Sequence, residues 1–113
     1  MIKDEKRNLK ALSVKQQLGL YVVLTYLYDE KNKPFYSSDF SNKMEKFLII
    51  DDKDEYRKTI GGILGSLSKN NILEKISSDR DPIWKIADDI HSDPVYYKKE
   101  LQHIPDVKIS WEK

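Results

Sequence analysis

The sequence predicts a small α+β domain, and three observations carry that reading. Apolar residues recur at helical spacing through the first two thirds of the 113-residue chain. After Asn71 the pattern changes to two short runs rich in β-branched and aromatic residues, Ile72 to Ser77 and Ile83 to Ala87. An Asp93-Pro94 pair then restarts a helix. A chain of this length is one domain's worth, able to hide roughly two thirds of its unfolded surface without staples. Residues 1–12 read as an N-terminal arm or short helix, 13–90 as the domain itself, and 91–113 as a C-terminal helix and tail.

The elements follow in order. Ser13-Val14-Lys15-Gln16 is a capping box, in which the Ser13 hydroxyl serves the Gln16 amide. Behind it Val14, Leu18, Tyr21, Val22, Thr25 and Tyr28 form a helical stripe that Leu20, Val23, Leu24 and Leu27 widen almost all round. A helix so apolar is a central one, packed on more than one side. The polar run Asp29 to Lys33 ends it, and Pro34-Phe35-Tyr36 is a short extended piece. A second helix starts with Ser37 or Ser38 as N-cap and carries Phe40, Met44, Phe47 and Leu48 on one face. Ile49 to Lys53 connects it to a third.

That third helix has the strongest signals. Asp52 is its N-cap, with Glu55 three residues on. Tyr56, Ile60, Ile63, Leu64 and Leu67 fall within an arc of about 100°. Leu64 and Leu67 are therefore expected among the most buried residues. Asn71 is placed to end the helix in a left-handed conformation. The two strands and the polar turn Ser78-Asp79-Arg80-Asp81-Pro82 between them form a hairpin, whose Trp84 packs over the helices rather than serving as a nucleobase platform. The last helix continues to Pro105, with Val95, Tyr96 and Leu101, together with Ile104, as its apolar contacts. The tail Val107-Lys108-Ile109-Ser110-Trp111 is extended or disordered.

Composition excludes several function classes. With no cysteine there are no disulfides, thiolate metal sites or cysteine nucleophiles. The longest charge-free stretch, Gln16 to Tyr28, is too short to cross a bilayer. The first residues lack the apolar core of a secretory signal, so a cytoplasmic protein without membrane association is expected. His91 and His103 stand without a partner at metal-ligand spacing, and neither a metal nor a cofactor is expected. Gly61-Gly62 with Gly65 lacks the Lys-Ser/Thr end of a phosphate-binding loop and does not follow a strand. No pair of acidic residues is pinned to a cleft, and the chain is not read as an enzyme.

Charge is balanced overall, at net +1, yet patterned along the chain. Residues 57–80 carry net +3 between segments 29–56 and 81–93, each at net −3. The basic block coincides with the third helix and hairpin. Opposite the helix's apolar arc stand Lys58, Gly62, Gly65 and Lys69, with Gly61 and Ser68 on one shoulder and Ser66 on the other. A glycine in an exposed helix interior costs up to about 1 kcal/mol relative to alanine, and this helix holds three of the chain's four. Two features offset such a cost: close approach of a phosphate backbone to the bare face, or close packing of another helix, from this chain or a second one. Tyr21, Tyr26 and Tyr28 read as core or dimer surface.

Helix, extended piece, helix, helix, hairpin and helix is an order that resembles a winged helix-turn-helix domain. The stretch from Arg57 to Lys75 resembles that superfamily's junction between recognition helix and wing, with Leu64 and Leu67 as its paired leucines and Asn71 where glycine is usual. Ser77 to Pro82 is similar to the wing tip of MarR-like regulators. The resemblance covers residues 13–90. It departs from the pattern in a longer connection between the second and third helices, and in Asp51, Asp52, Asp54 and Glu55 at the start of the third. The resemblance implies an α+β winged helix with an added C-terminal helix that binds duplex DNA as a small, dimeric transcriptional regulator. The residues implied in DNA contact are Arg57, Lys58, Thr59, Gly62, Gly65, Ser66, Lys69, Lys75 and Arg80. The alternative is a winged helix serving as a protein-interaction module within a larger assembly. The sequence names no operator and no effector.

Overall fold

A computed structural model describes residues 7–104 and the backbone of 109–110. Of the expected tail, Val107, Lys108 and Trp111 lie outside the described residues, as do the first six residues of the arm. A single 3-10 turn, Leu9–Ala11, precedes helix α1, Val14–Val22. The capping box forms in full: the Ser13 hydroxyl accepts from the Gln16 amide at 3.2 Å, and the Gln16 side chain accepts from the Ser13 amide at 2.9 Å. Leu18, Leu20, Val22, Val23 and Leu24 are all buried, as a central helix requires.

The helix does not stay α-helical to its end. Val23–Leu27 is a π turn, closed by the Tyr28 amide on the Val23 carbonyl at 2.8 Å. Strand β1, Phe35–Tyr36, leads directly into helix α2, Ser37–Met44. The serines expected as N-caps are instead its first two residues. The Tyr36 amide is accepted by the Asp39 carboxylate at 3.1 Å, and Asp81 of the hairpin turn accepts from the amide and the hydroxyl of Ser38.

Helix α2 is also shorter than its apolar spacing implied. Phe40 and Met44 are buried on it, whereas Phe47 lies beyond its end against Tyr21 and Tyr26. Leu48 belongs to strand β2, Leu48–Ile49, which pairs in parallel with β5, Ile109–Ser110.

Helix α3, Lys53–Lys69, follows the expected plan closely. The Asp52 carboxylate accepts from the Asp54 and Glu55 amides at 2.8 and 3.0 Å. Ile60, Ile63, Leu64 and Leu67 are buried. Asn71 takes φ 59°, and the Ile72 amide turns back to the Leu67 carbonyl at 2.9 Å. Gly19 of α1 faces α3 so closely that an added Cβ would lie 2.6 Å from a methyl of Ile63.

Strands β3, Leu73–Ser77, and β4, Ile83–Ile86, form the hairpin, with an irregularity between Lys75 and Ser77. The extended piece expected at 34–36 supplies a third strand, whose pairing the sequence did not indicate. β1 pairs antiparallel with the free edge of β4, Phe35 opposite Trp84, giving the order β1-β4-β3. Trp84 is buried at the centre of the sheet, its indole N–H donating to the Ser37 hydroxyl at 2.7 Å.

A four-residue helix α4, Asp88–His91, precedes α5, Pro94–Glu100, which has Asp93 as its cap and Pro94 at its first position. The expected contact face of α5 needs correction. Val95 is 74% exposed and Tyr96 36%, while Tyr97 is buried with Leu101 and Ile104. Residues 97, 101 and 104 keep the spacing of one helix face, and that face docks on the π turn. Among the described residues no helix is long and apolar enough to cross a membrane.

Candidate nucleic-acid interface

The outward face of α3 is set by its inward one. With Ile60, Ile63, Leu64 and Leu67 turned into the core, the residues half a turn away point outward. Lys58, Gly62 and Lys69 are exposed, and Gly65 is partly so. They recur at i, i+4, i+7 and i+11, and eleven residues of helix separate the lysines by about 16 Å along the axis.

The glycines are open. A Cβ built on Gly61, Gly62 or Gly65 would meet nothing within 4 Å. Close packing of this chain's own first helix does not account for these residues, because α1 meets α3 closely through Gly19 at Ile63 and Leu67 and leaves an open groove beside Gly62. Among the described residues nothing covers this face, which leaves it open to a nucleic acid or a protein.

The other expected contact residues are placed as follows. Thr59 and Ser66 line a groove of about 370 Å³ between α3 and the start of α1, beside Lys58 and Gly62. The Ser66 hydroxyl donates to the Ile63 carbonyl at 3.0 Å, leaving only its acceptor capacity for a ligand. Arg57 is fully solvated, 4.0 Å from Asp54 one turn back, a pair too exposed to hold it. Lys75 lies apart on β3, its ammonium 5.4 Å from the centre of the Trp84 ring. Arg80 is exposed in the hairpin turn. Its two acidic neighbours are engaged elsewhere, Asp79 by the Ser77 hydroxyl and Asp81 by Ser38. The structure thus groups seven of the nine along α3 and leaves Lys75 and Arg80 on the hairpin.

The acidic cluster at the start of α3 divides by role. Asp52 is consumed as the N-cap, whereas Asp51 and Asp54 remain exposed. The basic end of the face is therefore its middle and C-terminal part.

Two features elsewhere were not legible as sites. The Tyr28 hydroxyl lies 2.5 Å from His91 Nδ1, a hydrogen-bond partner for the histidine rather than a second metal ligand. The pair lines a cleft of about 600 Å³ between the π turn and α5. Burial raises the Tyr28 phenol above its ordinary value, aided by Asp29 and Glu30. The second feature is Arg7. Its guanidinium hydrogen-bonds to Asp89, holding that carboxyl below its usual range and itself raised in turn. No cluster of histidine and carboxylate suited to a metal ion occurs among the described residues.

No protein-family model matches this chain, and neither a curated protein nor a solved structure gives a match.

Proposed function

We propose that this chain is a winged helix-turn-helix protein that binds duplex DNA with α3 and the β3–β4 turn, acting as a small transcriptional regulator and as a homodimer. The observation that carries the proposal is the bare face of α3: three helical glycines that contact nothing in the described chain, framed by Lys58 and Lys69. The strand order β1-β4-β3 supports the same reading, since it sets the hairpin beside a three-helix unit as a wing is set.

In this arrangement α3 enters a major groove, which is about 12 Å wide. Lysines about 16 Å apart reach phosphates on either side of it, and the missing side chains let the helix backbone sit closer to the base edges. Arg80 meets the backbone beside the helix. Phosphate contacts supply affinity, and Thr59 and Ser66 are the polar groups nearest the bases. A homodimer would place two such helices on half-sites one turn apart, with the exposed Val95 and Tyr96 as apolar contacts between copies.

A second reading has its own observation. Exposed Asp51 and Asp54 at the start of α3 suit a protein surface better than a phosphate backbone, and a glycine stripe accommodates a partner helix equally well.

Fluorescence anisotropy with mixed-sequence duplexes across a salt series decides between them. On the DNA reading, affinity falls by about 0.9 log units per log unit of salt for each phosphate neutralised. Replacing Lys58 and Lys69 together by alanine should flatten the slope by about two such contacts. An unchanged slope and affinity in that double variant removes the α3 face from DNA binding and leaves the protein-partner reading.

A further inference from the structure

One side chain of the N-terminal arm bonds to two distant parts of the fold, and its backbone bonds to a third. The Arg7 guanidinium donates to both carboxylate oxygens of Asp89 in α4, at 2.5 and 2.8 Å. It also donates to the carbonyls of Asn70 and Asn71, at 2.8 and 2.7 Å, where α3 ends. The Arg7 amide donates to the buried Tyr97 hydroxyl of α5 at 2.9 Å. We propose that Arg7 is a latch that holds the C-terminal pair α4–α5 against the end of α3, making the docked position of those helices conditional on the N-terminal arm.

The chemistry suits arginine specifically. A helix leaves its last carbonyls without intrahelical donors, and a cation there also suits the helix dipole. The planar guanidinium serves the C-cap carbonyl of Asn70 and that of Asn71 just beyond the helix while gripping a carboxylate bidentately. A lysine, with one compact ammonium, lacks the reach to do both. The side chain is only 27% exposed and that of Asp89 47%, so the pair is partly shielded from water.

The elements held are short. α4 has four residues and α5 seven, far below the length at which an isolated helix is stable. Their docking rests on the buried Ile90, Tyr97, Leu101 and Ile104, on the Tyr28–His91 contact with the π turn, and on the Arg7 cluster of bonds. The four buried residues join the same cluster as Leu18, Phe40 and Leu67, whereas Arg7 itself bonds, among the described residues, only to α4, α5 and the end of α3. Loss of the latch therefore makes opening of α4–α5 more frequent, with transient exposure of the apolar side of α5, whatever surface α3 binds.

Amide hydrogen exchange on the full chain tests this. Arg7→Ala should accelerate exchange about tenfold or more at Ser92, Leu101 and Ile104 in the C-terminal pair and at Ile72 after α3. Leu64 and Leu67 should keep their rates. Arg7→Lys should recover part of the protection. Asp89→Asn keeps an acceptor in place without the charge and should give a smaller acceleration at the same amides. Should Arg7→Ala fail to fold, these two variants decide by the same pattern. Unchanged rates at Ser92 and Leu101, or equal acceleration throughout the chain, would overturn the latch. Full recovery by lysine would overturn the role of the fork.

Discussion

Gly19 in α1 and the glycines of α3 occupy opposite environments, and the contrast separates what holds this fold from what it leaves for a partner. At Gly19 a hydrogen in place of a methyl lets two helices meet, with Ile63, Leu67 and Phe40 all within 3.3 Å of where a Cβ would be. Its cost in helix propensity is offset by that packing. Gly61, Gly62 and Gly65 carry the same cost, and beyond the helix's own backbone no described atom lies within 4 Å of where a Cβ would be to offset it. The inner side of α3 is thus explained by the fold, and its outer side is not.

The contrast breaks first if the inner side proves tolerant. Leu64 is 2% exposed and faces α1 and α2, so Leu64→Ala should cost about 2–5 kcal/mol by urea or thermal denaturation. A melting point close to the parent's would mean that α3 is turned differently about its axis, and the outward face would have to be redrawn. Gly19→Ala comes next. Its methyl would fall 2.6 Å from that of Ile63, a β-branched side chain held in the core, so a loss of about 1–3 kcal/mol is expected. A neutral or stabilising effect would show that the α1–α3 contact yields easily.

Gly62→Ala combined with Gly65→Ala sharpens the comparison, because stability and binding should move in opposite directions. Each methyl enters open space, so the pair should stabilise the fold by about 1–2 kcal/mol. If the bare face lets α3 approach a duplex closely, the same methyls weaken DNA binding. A variant that gains stability and binds DNA as before would leave the glycines without a role in the proposed contact.

These two surfaces differed in how far they could be read from sequence. Helix α3 has seventeen residues, a side-chain cap and a sustained apolar arc, so its ends and its inner face follow from local pattern alone. Lys58, Gly62, Gly65 and Lys69 were legible for the same reason, as the complement of that arc. Gly19 was not, since one glycine in an apolar run carries no local sign of what crosses it. β1 and β2, at two residues each, are too short to show alternation, and their pairing is decided by distant strands. Of the apolar contacts expected for the last helix, Leu101 and Ile104 are buried while Val95 and Tyr96 are not. Val95, Tyr96 and Tyr97 are consecutive and apolar, and nothing local singles out Tyr97. Arg7 lay in a charged arm where nothing local distinguishes it from Lys6 or Lys10; its partners are 63 to 90 residues away.

The smallest expected effect concerns the central helix itself. Thr25 sits in the π turn, and its buried hydroxyl oxygen has no hydrogen-bond partner among the described residues. A threonine in a helix commonly returns its hydroxyl to a carbonyl one turn back, but here the wider turn leaves none in reach. An unpartnered buried hydroxyl costs about 1–3 kcal/mol in desolvation, and valine has the same shape without the polar atom. Thr25→Val should therefore stabilise the protein by about 1 kcal/mol, a few degrees in melting temperature for a domain of this size. It should leave binding at α3 untouched, because the π turn borders the cleft with Tyr28 and His91 rather than the glycine face. A destabilised Thr25→Val variant would show that the hydroxyl has a partner in solution, most simply an ordered water that completes the π turn.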